Sequence, residues 1–339
     1  MSDLADRQRG TRPVNRPDGP LDVVTIGETM VMFAPVEPVP LAQAPRLAMY
    51  AGGAESNVAT YLAELGHHVR WAGRLGDDPF GGLILRELED AGVDTRAVVR
   101  VPGGRTGVYV KDTHAGNTAV YYYRDRSAAR GLTPDVLGDP LLDGARILHL
   151  SGITAAISDS SRAMVLAGVR ERPDPSRLVS FDVNYRPGLW PAATAAPLLA
   201  EVADRSDLVF VGLDEARVLW GCRTPADVRA VLPNPGTVVV KDGEVGAYGL
   251  GSGGEVFVPS PRVRVVEPVG AGDAFAAGYL AAVLDGGAEE ARLRFGHLLA
   301  AAALSVTSDH GSLPARALLR RHLEISAEDW ARLDLSSGW

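Results

Sequence analysis

Of the 339 residues only Cys222 is a cysteine. No intramolecular disulfide and no cysteine-rich zinc site can be built from it. It sits in LWGCRTP, at the expected end of a helix, and reads as a bystander rather than a nucleophile. Positive charge is not in excess: 34 Lys and Arg stand against 42 Asp and Glu, a formal net charge of -8. With no sustained basic stretch, broad binding to nucleic acid or an anionic membrane is excluded. Apolar runs long enough to span a bilayer are missing, and so is a secretory h-region at the N-terminus, so a cytoplasmic enzyme is expected. The seven histidines show no metal-ligand spacing, and neither H-E-x-x-H nor G-x-x-x-x-G-K-[ST] occurs. No internal repeat is present.

What remains is the composition of an ordinary soluble globular protein, 46% hydrophobic and 22% charged. The length allows one large or two ordinary domains with a substantial core. Residues 1–20 are polar and rich in Arg, Asp and Pro, and are expected to be a disordered or loosely attached tail. From Leu21 a regular alternation begins. LDVVTIGE reads as a buried strand, SNVATYLAEL as a helix stopped by Gly66, HVRWAGRLG as a strand, and PFGGLILRELEDAG as a helix closed by Gly92. RILHLSG, RLVSFDVNYR, DLVFV and TVVVKDG continue as strands, with SRAMVLAGVRER and DEARVLWG as helices. Such alternation predicts one wound α/β domain, a mostly parallel sheet covered by helices on both faces, over residues 21–325. Residues 326–339 form a C-terminal extension to it.

Two segments interrupt the pattern. Residues 30–50 are strand-like and punctuated by proline, with no room for a crossover helix. Residues 105–126 read as a hairpin turning at Gly116-Asn117. Extra strands of this kind predict a small β lid that shuts water out of a cleft.

Glycine motifs then point to chemistry. Gly249 to Gly254, GLGSGG, matches G-x-G-x-x-G but leads into EVFVPS, a strand, so it reads as a hairpin tip rather than a dinucleotide site. EPVGAGDAFAAGYLAAVL is different, because its glycines feed an apolar, buried helix. Free N–H groups and the positive end of the helix dipole converge at such a turn, which suits a phosphate. Asp273 at its edge needs a reason to be there. AGGAESNVAT, Ala51 to Thr60, is a second turn before a helix; on its own it reads as a cap. Its functional reading is that Gly53 lets a substrate lie on the backbone while Asn57 offers both donor and acceptor.

GGAESNVA and PVGAGDAF together resemble the paired signatures of the ribokinase (PfkB) family of carbohydrate kinases, and the likeness extends from Leu21 to about Leu323. It implies a three-layer α/β/α fold with a β lid, and ATP with Mg²⁺ as cofactors. Asp273 would be the base that takes the proton from the attacking hydroxyl, with the N–H groups of Gly270, Ala271 and Gly272 stabilising the transferred phosphoryl group. At the nucleotide end Lys241, Gly243 and Gly246 match the family, and His297 stands where it has an asparagine. Of the N-x-x-E motif that organises Mg²⁺, Glu215 is kept, while Gly212 replaces the asparagine and Asp214 stands beside it. The second signature opens on Glu267 instead of aspartate, which leaves a monovalent cation there open to doubt.

For the substrate, neutral-sugar kinases of the family carry an aspartate where GETMVMF has Met32, whereas Arg124 and Arg186 add cations. That exchange suits a carboxylate-bearing sugar. GETMVMF, TGVYV, YYYR, HLSGIT and SFDVNYRP further resemble the subgroup acting on 2-keto-3-deoxygluconate, phosphorylating its 6-hydroxyl. The resemblance places Gly53, Asn57, Tyr109, Tyr122, Arg124 and Arg186 around the substrate, a sugar acid. A fructokinase- or ribokinase-like enzyme for a neutral sugar is the alternative, and a non-catalytic sugar-acid sensor a second. Because exposed lid edges tend to pair between subunits, a homo-oligomer is expected.

Overall fold

The computed structural model describes residues 20–339 except 38, 115, 116 and 173. Residues 1–19 of the expected 1–20 tail and the Gly116 half of the expected hairpin turn lie outside the described residues.

In chain order the strands are β1 (Val23–Ile26), β2 (Met30–Pro35), β3 (Leu47–Gly52), β4 (Val69–Gly76), β5 (Val98–Val101), β6 (Val108–His114) and β7 (Asn117–Tyr123). They continue with β8 (Ile147–Ser151), β9 (Leu178–Asp182), β10 (Leu208–Gly212), β11 (Thr237–Asp242), β12 (Gly246–Gly251) and β13 (Gly254–Pro259). Nine of them form one sheet in the order β13-β12-β11-β10-β9-β8-β1-β4-β5. It is parallel from β5 to β11, and β12 and β13 close it as antiparallel hairpins. The GLGSGG segment is the β12–β13 hairpin, as its flanking strands required.

Alternation along each central strand divides the interior into two cores. Val24, Val209, Val211, Val238 and Val240 face one, and Val23, Leu208, Phe210 and Val239 face the other. A strand buried on both faces reads as a continuous apolar run, which is what VVTI and LVFV are. Helices Asp159–Arg170 and Ala192–Asp204 cover the first face. Helices Ala54–Glu64, Ala271–Leu284 and Glu289–Leu304 cover the second. The last segment also joins this body, since Trp330 is buried and donates its indole N–H to the Pro259 carbonyl at 2.9 Å.

The lid is a separate four-stranded sheet in the order β3-β2-β6-β7. Met30, Met32, Ala34 and Tyr109 make a small core of its own. Met32 is fully buried in it.

Candidate active site

Gly270 ends the loop after β13 and caps helix Ala271–Leu284 with φ +89° and ψ −15°, the left-handed region. A Cβ there would overlap the Asp309 carbonyl oxygen, so both conformation and space demand glycine. One turn into the helix stands Asp273, 9% exposed. Asn57 donates its amide N–H to Asp273 Oδ2 at 2.8 Å, and Asn184 donates to Oδ1 at 3.2 Å. Burial outweighs these bonds and the nearby Arg186 charge, and with Asp182 and Asp309 also close the Asp273 carboxyl is pushed up to about 7. A carboxylate at that value exchanges protons readily near neutrality, as a general base should.

The cleft in front of Asp273 is lined by the two glycine signatures and the lid together. Every residue expected around the substrate borders it: Gly53, Asn57, Tyr109, Tyr122, Arg124 and Arg186. Arg124 is not a solvated surface charge. It is 8% exposed, pairs with Glu28 and lies 5.8 Å from the Tyr122 ring centroid. Arg186 is half-exposed and donates to the Tyr185 carbonyl at 3.1 Å and Glu215 Oε1 at 3.4 Å.

Two acids in the cleft were not expected there: Glu28, although GETMVMF contains it, and Asp309, which no motif contains. Glu28 follows β1, and Asp309 lies in the loop after helix Glu289–Leu304, where it accepts the Tyr109 hydroxyl. The premise that the cleft had lost its carboxylate is therefore corrected. Met32 points into the lid core, and Glu28 and Asp309 supply acidic side chains from other loops. Asn184 was also missed, although it lies in the DVNYR segment; its φ of +39° turns its amide toward Asp273.

Behind Asp273 lies a second polar group. Lys241 Nζ is 3.1 Å from Asp182 Oδ2. Burial opposes the Lys241 charge, but Asp182 and Glu215 outweigh it and hold its pKa above the usual lysine value. Glu215 Oε2 accepts the Gly212 N–H at 2.8 Å, capping helix Leu213–Trp220, and burial raises its pKa. Gly243, at φ +51°, and Gly246 shape the β11–β12 turn. His297 borders none of the cleft. Its Nε2 lies 3.1 Å from the Val258 carbonyl oxygen and its ring meets Phe275 edge-on at 5.2 Å, and burial lowers its pKa to about 4, so it is neutral. Of the expected phosphate donors, Ala271 N–H already leans on the Pro268 carbonyl at 3.3 Å.

Residues 20–316 match the pfkB family carbohydrate kinase pattern. The chain belongs to that family. It is 35% identical to a 2-dehydro-3-deoxygluconokinase of Bacillus subtilis over 309 residues, 89% of this chain and 95% of that one. Fructokinase-1 of Zea mays is 33% identical over 259 residues, covering 75% of this chain and 80% of its own. Among solved structures, the sugar kinase PH1459 of Pyrococcus horikoshii in complex with ATP superposes with a TM-score of 0.77 at 25% identity, over 91% of this chain and 99% of that one.

This pfkB kinase is thus a phosphotransferase acting on a sugar, with the ATP-binding ribokinase-like fold. Among the described residues no three His, Cys, Asp or Glu converge as a metal cage, and no helix is long and apolar enough to cross a membrane. Mg²⁺ needs no such cage, because it keeps several waters and takes one or two carboxylates plus phosphate oxygens. Asp182 is already paired with Lys241, so Asp182 and Glu215 fit Mg²⁺ only through its waters and with phosphate charge beside it, not as direct ligands of a bare ion.

Proposed function

We propose that this pfkB kinase phosphorylates the 6-hydroxyl of 2-keto-3-deoxygluconate, which is 2-dehydro-3-deoxygluconate, using ATP. The observation that carries the reading is the buried guanidinium of Arg124 at the cleft wall, between Tyr122 and Glu28. A buried arginine is an unusual cost for a site that holds only hydroxyls, and its fork suits a carboxylate. The relationship to 2-dehydro-3-deoxygluconokinases supports the same choice.

In this reading Asn57 and Asn184 aim Asp273 at the acceptor hydroxyl, and Asp273 takes its proton as the oxygen attacks the γ-phosphorus and the bond to the β–γ bridging oxygen breaks, releasing ADP. Gly270 and Gly272 present backbone N–H groups to the transferring phosphoryl oxygens, with Arg186 facing the same region. Lys241 lies on the nucleotide side. Asp182 and Glu215 would hold Mg²⁺ through its waters, and the ion would neutralise charge on the β- and γ-phosphates. The lid, closing with Tyr109 and Tyr122, excludes water that would otherwise compete with the sugar.

Removing Arg124 should raise KM for the sugar acid by roughly 10- to 100-fold, the worth of a hydrogen bond to a charged group, with KM for ATP unchanged. Because Arg124→Gln also strands Glu28, the control is Glu28→Gln, which keeps the guanidinium and should keep most affinity for the acid. Steady-state kinetics of both variants decide it; an unchanged KM in Arg124→Gln contradicts the sugar-acid reading. The second reading, a fructokinase-like enzyme, is favoured by one observation: Glu28 already neutralises Arg124, and Glu28 and Asp309 can accept sugar hydroxyls.

The register of the lid aligns Met49, Phe33, Val110 and Tyr121 in one row, and Met49 and Tyr121 at its ends are exposed. We expect this face and its edge strands to pair with a second copy of the chain. Sedimentation velocity at micromolar concentration should show a dimer or larger species; a monomer alone rejects the assembly.

A further inference from the structure

Lys111, on β6 of the lid, is 1% exposed. Its Nζ lies 2.6 Å from Asp309 Oδ1 and 3.9 Å from Glu267 Oε2, and it donates to the Thr307 carbonyl oxygen at 3.4 Å. Glu267 and Asp309 are themselves buried. A buried ammonium is stabilised only when partners of this kind compensate for its lost hydration.

These partners hold the two sides of the turn that faces the phosphoryl group. Glu267 lies three residues before Gly270, and its Oε1 accepts the Val269 N–H at 3.1 Å. Asp309 presses on the turn from the other side, since its carbonyl oxygen occupies the space a Cβ on Gly270 would need. The lid engages both acids as well: Tyr109 donates to Asp309, and Thr118 Oγ1 donates to Glu267 Oε2 at 2.8 Å. The loop carrying Asp309 is pinned further along, where Gly311 N–H donates to the Tyr61 hydroxyl at 2.7 Å.

A monovalent cation beside Glu267 is what the family resemblance left open, and the residues present do not fit one. Two carboxylates and a carbonyl that could ligate it already surround an ammonium of the same charge. A second cation at that point would be repelled in a medium that screens poorly.

We propose that Lys111 is a tethered cation, a positioning residue that stands in for a bound monovalent ion and fixes the Gly270–Gly272 turn from the lid. The ion cannot dissociate, and it is delivered by the same sheet that covers the cleft. Lid closure and ordering of the phosphoryl site are thereby coupled through one side chain. The inference rests on the kinase activity and not on which sugar is the substrate.

The test is ATP-dependent turnover of whichever of 2-keto-3-deoxygluconate, its galactonate epimer, fructose and ribose reacts fastest, in KCl, NaCl, NH₄Cl or tetramethylammonium chloride at an equal ionic strength of about 0.1 M. Wild-type kcat should be the same in all four. Lys111→Ala should lose about 100-fold in kcat, the scale of a small misplacement at the reacting centre, with KM for ATP much less affected. NH₄⁺ or K⁺ should restore at least part of that loss, and tetramethylammonium, too large for the vacated space, should not. A purely structural ion pair would lower the melting temperature without creating cation-dependent turnover. Activation of the wild-type enzyme by K⁺ overturns the proposal, and that measurement does not require the variant to fold. A folded Lys111→Ala that keeps the wild-type kcat, or that no small cation rescues, overturns it as well. An error in the sugar-acid reading would change the ranking of substrates but not the response to salt.

Discussion

Asp273→Asn is expected to lower kcat by roughly a thousandfold or more, the contribution of a positioned general base, while ATP binding survives. The side chain keeps its size between Asn57 and Asn184 but can no longer take a proton. In the wild-type enzyme kcat/KM should climb with pH below about 7 and level off above it, since burial places the Asp273 carboxyl at about 7 and only its ionised form is a base. Loss of that slope in a pH–rate series, or near wild-type turnover by Asp273→Asn, would remove Asp273 from the role.

The same burial has a consequence for stability. A carboxyl whose folded-state pKa is raised from 3.8 to about 7 favours the fold while protonated. That contribution is complete below the unfolded value and disappears as pH rises through 7. The ionised carboxylate at pH 8 is therefore a strain on the native state, on the order of 4 kcal/mol if the whole shift is felt. Asp273→Asn should melt higher than wild type at pH 8, with the difference shrinking toward pH 5. Inactivation accompanied by higher stability is what an active-site carboxylate predicts and a merely structural one does not.

The second large effect belongs to Gly270. Any side chain there must adopt φ +89° and displace the Asp309 carbonyl, and the two penalties together come to roughly 3 kcal/mol for alanine. Because Asp309 also meets Lys111 and Tyr109, the distortion would pass into the lid. Gly270→Ala should lose 100- to 1,000-fold in kcat, the scale of removing a preorganised donor from a developing charge. Urea denaturation and steady-state kinetics check both parts. A variant as stable and active as wild type would mean that the turn does not hold the phosphoryl group.

Why the sequence revealed some of this and hid the rest follows from how far each signal reaches along the chain. The parallel strands were legible because burial on both faces leaves continuous apolar runs, as in LVFV, and Gly66 and Gly92 closed their helices at positive φ. Helix Ala192–Asp204 gave no clear periodicity, being rich in alanine and carrying Pro197 inside it. Gly53, Asn57, Gly270 and Asp273 came from two glycine signatures because a backbone that must approach a ligand leaves its mark on neighbouring positions, whereas Tyr109, Tyr122, Arg124 and Arg186 came from the resemblance at TGVYV, YYYR and SFDVNYRP. Glu28 lay inside GETMVMF without standing out as a cleft residue, and Asp309 lies in no motif. Asp309 reaches the cleft from a loop 36 residues after Asp273, and only the folded chain shows it meeting Tyr109 and Lys111. Arg124 was legible as a cation but not as a buried one, because its partner Glu28 lies on the far side of the lid in sequence. Glu215 was found from its motif, yet its bond to the Gly212 N–H shows that it also caps a helix.

ADP release from ATP and Mg²⁺ with 2-keto-3-deoxygluconate, its galactonate epimer, fructose and ribose side by side decides whether Arg124 serves a sugar acid. A kinase that uses Arg124 for a carboxylate should give kcat/KM for one or both acids at least about 100-fold above that for the neutral sugars. Equal or faster turnover of fructose or ribose would contradict the sugar-acid assignment, and would leave Asp273 and its glycine turn serving a different sugar.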